Sequence, residues 1–284
     1  MTHPPTAARR GRHAPLAPPA CCGWVPGSLR RRDAMAGSPP ISTQGGTLSA
    51  VLFDMDGTLV AGDDHHFEAY ADTLLEMEPQ FNGGKRITRE FYNTRMSGRQ
   101  NPVLLKEIMP DVSPERGVVI ADTKERAYMR RTAGAIEALA GAAALLDVLA
   151  AAGVRLGVVT NAPREIMEHT LGEAALRDRF PVVIVGDECA RAKPFPDPYV
   201  DGCRALDVQP REAIAFEDSP SGITSAVAAG LLTIGVGTGH PPATLLAAGA
   251  AFVIHDYYDE RLATVLGLWL GEGARSAVLG AGAQ

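Results

Sequence analysis

The chain has 284 residues, of which 46% are hydrophobic and 21% charged, and its formal net charge is −6. This length and composition are typical of a globular protein with one large domain or two modest ones. The negative charge argues against a nucleic-acid-binding protein. The sequence holds no apolar run long enough to span a bilayer, which argues against a membrane protein.

The first 32 residues differ from the rest, because they contain six arginines and no acidic residue. An Arg-rich, acid-poor leader is typical of an organelle transit peptide, which would direct the protein to a chloroplast or mitochondrion. A disordered extension, or a true start at Met35, explains the same composition, and the expected location is then the cytoplasm. We predict a disordered leader over residues 1–47 and leave these interpretations open.

Short apolar runs alternate with helical patterns along most of the chain. Continuous apolar runs suit strands that are buried on both faces of a parallel sheet. The predicted strands are 49–53, 155–160, 182–185, 213–216, 232–236 and 251–254, and the helices between them are 141–152, 163–171, 198–206 and 221–229. This succession predicts an α/β fold with a Rossmann-like, doubly wound parallel-sheet core.

One segment, residues 61–134, breaks this alternation. It holds no convincing strand, and four helical stretches take its place, at 66–77, 88–96, 102–109 and 113–132. We therefore predict an inserted α-helical cap domain over 61–134 and a catalytic core formed by 48–60 and 135–270. Residues 271–284 are small and polar, and this composition predicts a flexible tail.

Charged and polar residues follow four of the predicted strands, at the strand ends where ligands bind in open parallel sheets. In chain order they are Asp54-Met55-Asp56-Gly57-Thr58, Thr160-Asn161, Lys193-Pro194 and Glu217-Asp218-Ser219. Each motif alone is weak, since Asp-x-Asp is commonly a solvated turn and Thr-Asn commonly a helix cap. Their shared position after buried strands predicts one common site.

Such a site suits phosphoryl transfer. The Asp54 carboxylate can attack phosphorus to form an aspartyl-phosphate, which splits one hard step into two. Asp56 can protonate the leaving alkoxide and later take a proton from water. Asp54 and the Glu217-Asp218 pair offer the hard oxygen ligands that Mg²⁺ prefers. Lys193 supplies positive charge, and the Thr160 hydroxyl can donate to a phosphate oxygen.

The same motifs resemble those of the haloacid-dehalogenase-like hydrolase superfamily. Residues 53–60 resemble its first motif, Thr160-Asn161 the second, Lys193-Pro194 the third and residues 216–219 the fourth. The subgroup with a helical cap inserted after the first motif matches the segment 61–134. Within the superfamily, residues 49–266 resemble the plant broad-range sugar phosphate phosphatases.

The resemblance implies a Mg²⁺-dependent phosphatase that acts on a small phosphorylated metabolite. By the family's pattern, the nucleophile is Asp54, the acid/base is Asp56, and the phosphate is held by Thr160, Asn161 and Lys193. The implied Mg²⁺ ligands are Asp54, the Asp56 backbone carbonyl, Glu217 directly or through water, and Asp218. True dehalogenases lack the second aspartate and the metal, so Asp56 argues against that chemistry.

The sequence departs from the family's pattern just after the first motif. Ala61 and Gly62 stand where many relatives have Asp-Ser, while His66 retains the family's histidine. We predict that His66 faces the substrate or assists cap closure, or else is a polar residue at a helix start. Arg99 is predicted either to reach from the cap to the substrate or to be a solvated surface arginine.

The predicted reaction is hydrolysis of a small sugar or polyol phosphate monoester. One alternative is a phosphomutase of the β-phosphoglucomutase type, which uses the same aspartyl-phosphate and needs a cap that holds two phosphates. A phosphoglycolate or glycerol-phosphate phosphatase is another alternative, and a non-catalytic phosphate-binding protein is a third. The sequence leaves the oligomeric state open.

Overall fold

The computed structural model describes residues 47–282, so the predicted leader, apart from Thr47, lies outside the described residues. The strands are β1 Ala50–Phe53, β2 Arg155–Thr160, β3 Val182–Val185, β4 Ala213–Glu217, β5 Leu232–Val236 and β6 Val253–Ile254. The helices are α1 Asp63–Met77, α2 Arg89–Arg95, α3 Asn101–Ile108, α4 Pro114–Thr132, α5 Ala142–Ala151, α6 Arg164–Glu173, α7 Asp197–Ala205, α8 Pro220–Ala228, α9 Pro242–Ala248, α10 Glu260–Leu270 and α11 Glu272–Ala281. None of the helices in the described range is long and apolar enough to cross a membrane.

The six strands form one parallel sheet in the order β3-β2-β1-β4-β5-β6. The first strand lies in the interior of the sheet, where Phe53 pairs with Val158 on one side and with Phe216 on the other. Because all strands run the same way, their carboxyl ends meet at one edge. This order places the ends of β2, β1 and β4 side by side.

Side chains of β1 alternate between two packed layers, as the twofold period of a strand requires. Val51 and Phe53 pack with α5 side chains such as Leu146 on one face of the sheet. Leu52 packs on the other face with Tyr199 of α7. All four β1 residues are fully buried, which explains why the strand reads as a continuous apolar run.

Helices α1–α4 lie between β1 and β2 in the chain and share their own apolar cluster. Its members include Tyr70 and Leu74 of α1, Tyr92 of α2, Leu104 of α3 and Ile120 of α4. A separate core is what an inserted helical domain needs in order to hold its shape. We call residues 61–134 the helical insertion.

The chain enters and leaves the helical insertion at neighbouring positions. Ala61 N donates to Glu137 O at 3.1 Å, and Leu139 N donates to Leu59 O at 2.8 Å. Val60 and Ala138 form an isolated antiparallel bridge between the two crossings. The two ends of the insertion are therefore held together by backbone hydrogen bonds of the core.

Two predictions from the sequence are wrong. The segment after 270 was predicted as a flexible tail, but α11 packs on α10 and α5, and its Val278 is buried. Gly267 of α10 allows this close packing, because a Cβ there would lie 3.0 Å from the Arg275 Cβ of α11. The first helix begins at Asp63, three residues before the predicted start at 66. The negative charges of Asp63 and Asp64 in its first turn stabilise it, because the N-terminal end of a helix dipole is positive.

Candidate active site

The nucleophile predicted from the sequence stands at the end of β1, in a tight turn. Asp54 N donates to Phe216 O at 3.0 Å, which ties the turn to β4, and Gly57 N donates back to Val60 O at 2.8 Å. Gly57 has a φ of 77°, in the left-handed region. A Cβ at this position would lie 2.3 Å from Asp218 Oδ2, so only glycine lets the turn approach that carboxylate.

Three carboxylates from the ends of two neighbouring strands, β1 and β4, converge beside this turn. Asp54, Glu217 and Asp218 each offer an oxygen, and these oxygens lie within 4.8 Å of one another. Glu217 is the last residue of β4 and is fully buried. Hard carboxylate oxygens at this spacing fit Mg²⁺, so the donor set agrees with the predicted metal.

Lys193 connects two of these carboxylates. Its Nζ donates to Asp54 Oδ1 at 2.7 Å, to Glu217 Oε1 at 2.6 Å and to Val159 O at 2.7 Å. Burial opposes its charge, but Asp54 and Glu217 hold the pKa of Lys193 above its usual value. The ammonium is therefore fixed beside the Asp54 carboxylate with its three donors used.

The cluster contains three carboxyl groups and one ammonium group. Burial raises the pKa of Asp54 to about 7, with Glu217 adding to the rise and Lys193 opposing it. Burial also raises the pKa of Asp218, and the charge of Asp54 reinforces that effect. Three carboxylates against one ammonium favour the binding of a divalent cation.

Asp56 turns away from this cluster toward the helical insertion. Its Oδ1 accepts from the Tyr128 hydroxyl at 3.2 Å, and its Oδ2 lies 3.3 Å from His66 Nε2. Although burial works in the opposite direction, His66 and Lys124 hold the pKa of Asp56 below its usual value. The predicted acid/base is therefore held by residues of the insertion.

His66 lines the same cavity beside Asp56, and its predicted role toward the substrate or in cap closure stays a prediction. Its Nδ1 is 2.8 Å from Lys124 Nζ, and its ring stacks on Tyr128 with centroids 3.8 Å apart. An ammonium only donates, so Nδ1 accepts and a neutral ring carries its proton on Nε2, facing Asp56. The sequence reasoning missed Lys124 and Tyr128, which lie on α4, about 70 residues after the first motif.

Thr160 and Asn161 of the second motif line the same cavity. Thr160 ends β2, and its Oγ1 accepts from Ala162 N at 3.0 Å, which leaves the hydroxyl proton free to donate. Asn161 Nδ2 donates to Gly98 O at 3.0 Å, and Asn161 Oδ1 accepts from Lys193 N at 3.3 Å. Asn161 thus connects the Lys193 loop with the insertion.

Arg99 lines the same cavity, but its guanidinium faces a partner within the insertion. It donates to Arg95 O at 3.1 Å and forms an ion pair with Glu107. Its predicted contact with substrate stays a prediction. The cavity is closed on this side by Tyr70, Tyr92, Met96, Asn101, Lys124 and Glu125 of the insertion.

A sequence model of the haloacid dehalogenase-like hydrolase family matches residues 51–236. Because this match spans well over half of the chain, the chain belongs to that family, and the prediction from its motifs is confirmed. The predicted resemblance to plant phosphatases in particular stays a prediction, since the relatives described next are bacterial.

Named relatives match much of the chain. Validoxylamine A 7'-phosphate phosphatase of Streptomyces hygroscopicus subsp. limoneus is 34% identical over 194 residues, 66% of this chain and 85% of that protein. Phosphoglycolate phosphatase of Rhodospirillum rubrum is 32% identical over 230 residues, 78% of this chain and 90% of that protein. The crystal structure of CbbY from Rhodobacter sphaeroides in complex with phosphate has a TM-score of 0.66 at 28% identity, covering 74% of this chain and 95% of that one. The predicted fold class is confirmed.

Proposed function

We propose that this protein is a Mg²⁺-dependent phosphatase that hydrolyses small sugar or polyol phosphate monoesters through an aspartyl-phosphate at Asp54. One observation carries the proposal: the Asp54 carboxylate shares a buried cluster with Lys193 and the Glu217-Asp218 pair. A nucleophilic carboxylate beside cation-binding groups is what phosphoryl transfer requires. The names of the relatives, which are phosphatases of small phosphorylated compounds, agree with it.

In the first step, an Asp54 oxygen attacks phosphorus and the bond between phosphorus and the ester oxygen breaks. The leaving alkoxide takes a proton from Asp56. An anionic phosphate beside Asp56 raises the proton affinity of that carboxyl group, which favours the acid form when substrate binds. Lys193 offsets negative charge on the transferring group, and Thr160 donates a hydrogen bond to it.

In the second step, water attacks phosphorus while the Asp56 carboxylate takes its proton. The bond between Asp54 and phosphorus breaks, and inorganic phosphate leaves. Asp54, Glu217 and Asp218 would hold the Mg²⁺, with the Asp56 backbone carbonyl as the family's pattern implies. When bound, Mg²⁺ supplies positive charge that polarises the phosphoryl oxygens.

The test is release of inorganic phosphate from a panel of phosphomonoesters, with Mg²⁺ and with EDTA. The variant Asp54→Asn should lose activity by about three or more orders of magnitude, since the covalent route disappears. Asp122→Asn, an exposed site on α4, is the matched control and should retain activity. Robust turnover by the Asp54 variant would refute the mechanism. Isomerised product with little free phosphate would instead identify a phosphomutase. The chain is 26% identical to β-phosphoglucomutase of Bacillus subtilis.

A further inference from the structure

The wall of the cavity that faces away from the sheet is built from three helices of the insertion. Tyr70 of α1, Asn101 of α3 and Lys124-Glu125 of α4 line it together. The Tyr70 hydroxyl donates to Asn101 Oδ1, and Asn101 Nδ2 donates to Glu125 Oε1 at 2.7 Å. Side chains that fix one another in this way form a preorganised surface.

One oxygen of this wall is left without a partner. Glu125 Oε1 accepts from both Asn101 and, at 3.0 Å, Lys124 Nζ. Glu125 Oε2 is buried and has no hydrogen-bond partner among residues 47–282. A buried carboxylate oxygen with no donor is costly, so it is a place where a bound molecule gains by donating a hydrogen bond.

The positive groups of the wall already have negative partners. The Lys124 ammonium lies between Glu125 Oε1 and His66 Nδ1, and the Arg99 guanidinium pairs with Glu107. Within the described range, the cations that line this wall therefore all have carboxylate partners. A second anionic group on the substrate would meet the Glu125 charge and would have to displace one of these pairs.

We infer that Glu125 selects substrates whose leaving group is an uncharged polyol, with one hydroxyl donating to Oε2, and disfavours leaving groups that carry a carboxylate or a second phosphate. This inference rests on the proposed function, because it concerns the group released at the same site. Glu125 is thus a specificity-determining residue that touches the substrate. The selection acts through a donor that a polyol has and an anion at that position lacks.

A matched pair of substrates tests this directly. Glucitol 6-phosphate and 6-phosphogluconate share a carbon chain and differ at the end remote from the phosphate, which is a hydroxymethyl group in one and a carboxylate in the other. The wild-type protein should have the higher kcat/KM for glucitol 6-phosphate. A higher value for 6-phosphogluconate, or for phosphoglycolate, would overturn the inference and leave the phosphatase assignment intact.

The variant Glu125→Gln tests the residue itself. It should lower kcat/KM for glucitol 6-phosphate by about 10- to 100-fold, the effect of losing one charge-assisted hydrogen bond. Its kcat/KM for 6-phosphogluconate should stay level or rise, because a repelling charge is gone and Lys124 is released. The ratio of the two values therefore falls, whereas Asp122→Asn, which removes an exposed charge from the same helix, should leave the ratio unchanged.

Circular dichroism and thermal unfolding show whether Glu125→Gln is folded, and a melting temperature within about 2 °C of wild type is the criterion. An unchanged ratio in such a variant would refute the role of Glu125. If the variant does not fold, the comparison of the two substrates with the wild-type protein still tests the inference. If the wild-type protein hydrolyses no phosphomonoester at all, the proposed function itself fails.

Discussion

Gly62 lies so close to the Asp56 carboxylate that a substitution at residue 62 is predicted to change catalysis. A Cβ at this position would lie 2.2 Å from Asp56 Oδ1 and 3.0 Å from the Tyr128 hydroxyl. Ordinary contact begins at 3.4 Å, so in Gly62→Ala the Asp56 carboxylate must move by about 1 Å.

We expect Gly62→Ala to lower kcat by about 100-fold, because a shift of this size in an acid/base group has an effect of that order. The melting temperature should change by no more than about 2 °C. The reason is that Gly62 has φ −89° and ψ −18°, which alanine also adopts, and the displaced atom is the end of a side chain. Phosphate-release kinetics and calorimetry measure the two quantities.

Gly172→Ala is the matched control. Gly172 lies in α6, where an added Cβ meets nothing within 4 Å, so the substitution should raise stability by about 0.4–1 kcal/mol and leave kcat unchanged. A kcat for Gly62→Ala within about threefold of wild type would show that Asp56 does not act from its observed position. A large fall in melting temperature would show that the glycine serves the fold instead.

Three further predictions concern the acidic cluster. Asp218→Asn should raise the Mg²⁺ concentration needed for half-maximal activity by about tenfold or more, and an unchanged titration would remove Asp218 from the metal site. Without Mg²⁺, in EDTA, the pKa of Asp54 is about 7, because burial raises it. The protonated form of Asp54 therefore stabilises the folded protein below about pH 4, and this stabilisation is lost as the pH rises through about 7. The gain in melting temperature on adding Mg²⁺ should therefore grow between pH 5 and pH 8, and a gain independent of pH would contradict the charged cluster. Gly222→Ala should lower both stability and activity, because the added Cβ would lie 1.8 Å from Glu217 Oε1 and would displace that carboxylate from Lys193. Soluble, active protein with an unchanged melting temperature would refute this prediction.

The sequence was sufficient to predict the sheet and the part of the site that lies on it. Asp54 and the Glu217-Asp218 pair directly follow apolar strands, and parallel strands bring their ends to one edge whatever lies between them. Strand β2 has the predicted bounds, Arg155–Thr160, because hydrophobic pattern and strand length agree there. Short-range signals thus located groups that are far apart in the chain.

The groups on the insertion could not be predicted in the same way. Lys124 and Glu125 lie on an amphipathic helix in which charged residues are usually solvated, and nothing in the helical period tells which of them faces the cavity. The same limit applies to α11, whose small residues resemble a tail until α10 and α5 are packed beside it. In both cases the deciding contacts are tertiary.

The adjacent crossings at Ala61 and Glu137 have a consequence for engineering. Because the hydrogen bonds that join them belong to the core, the gap left by removing the segment between them is short. A helical segment of different length or sequence could be grafted there without changing the order or register of the strands. Chimeras that exchange this segment between family members would therefore exchange the cavity wall together with His66 and Tyr128, the residues that hold Asp56.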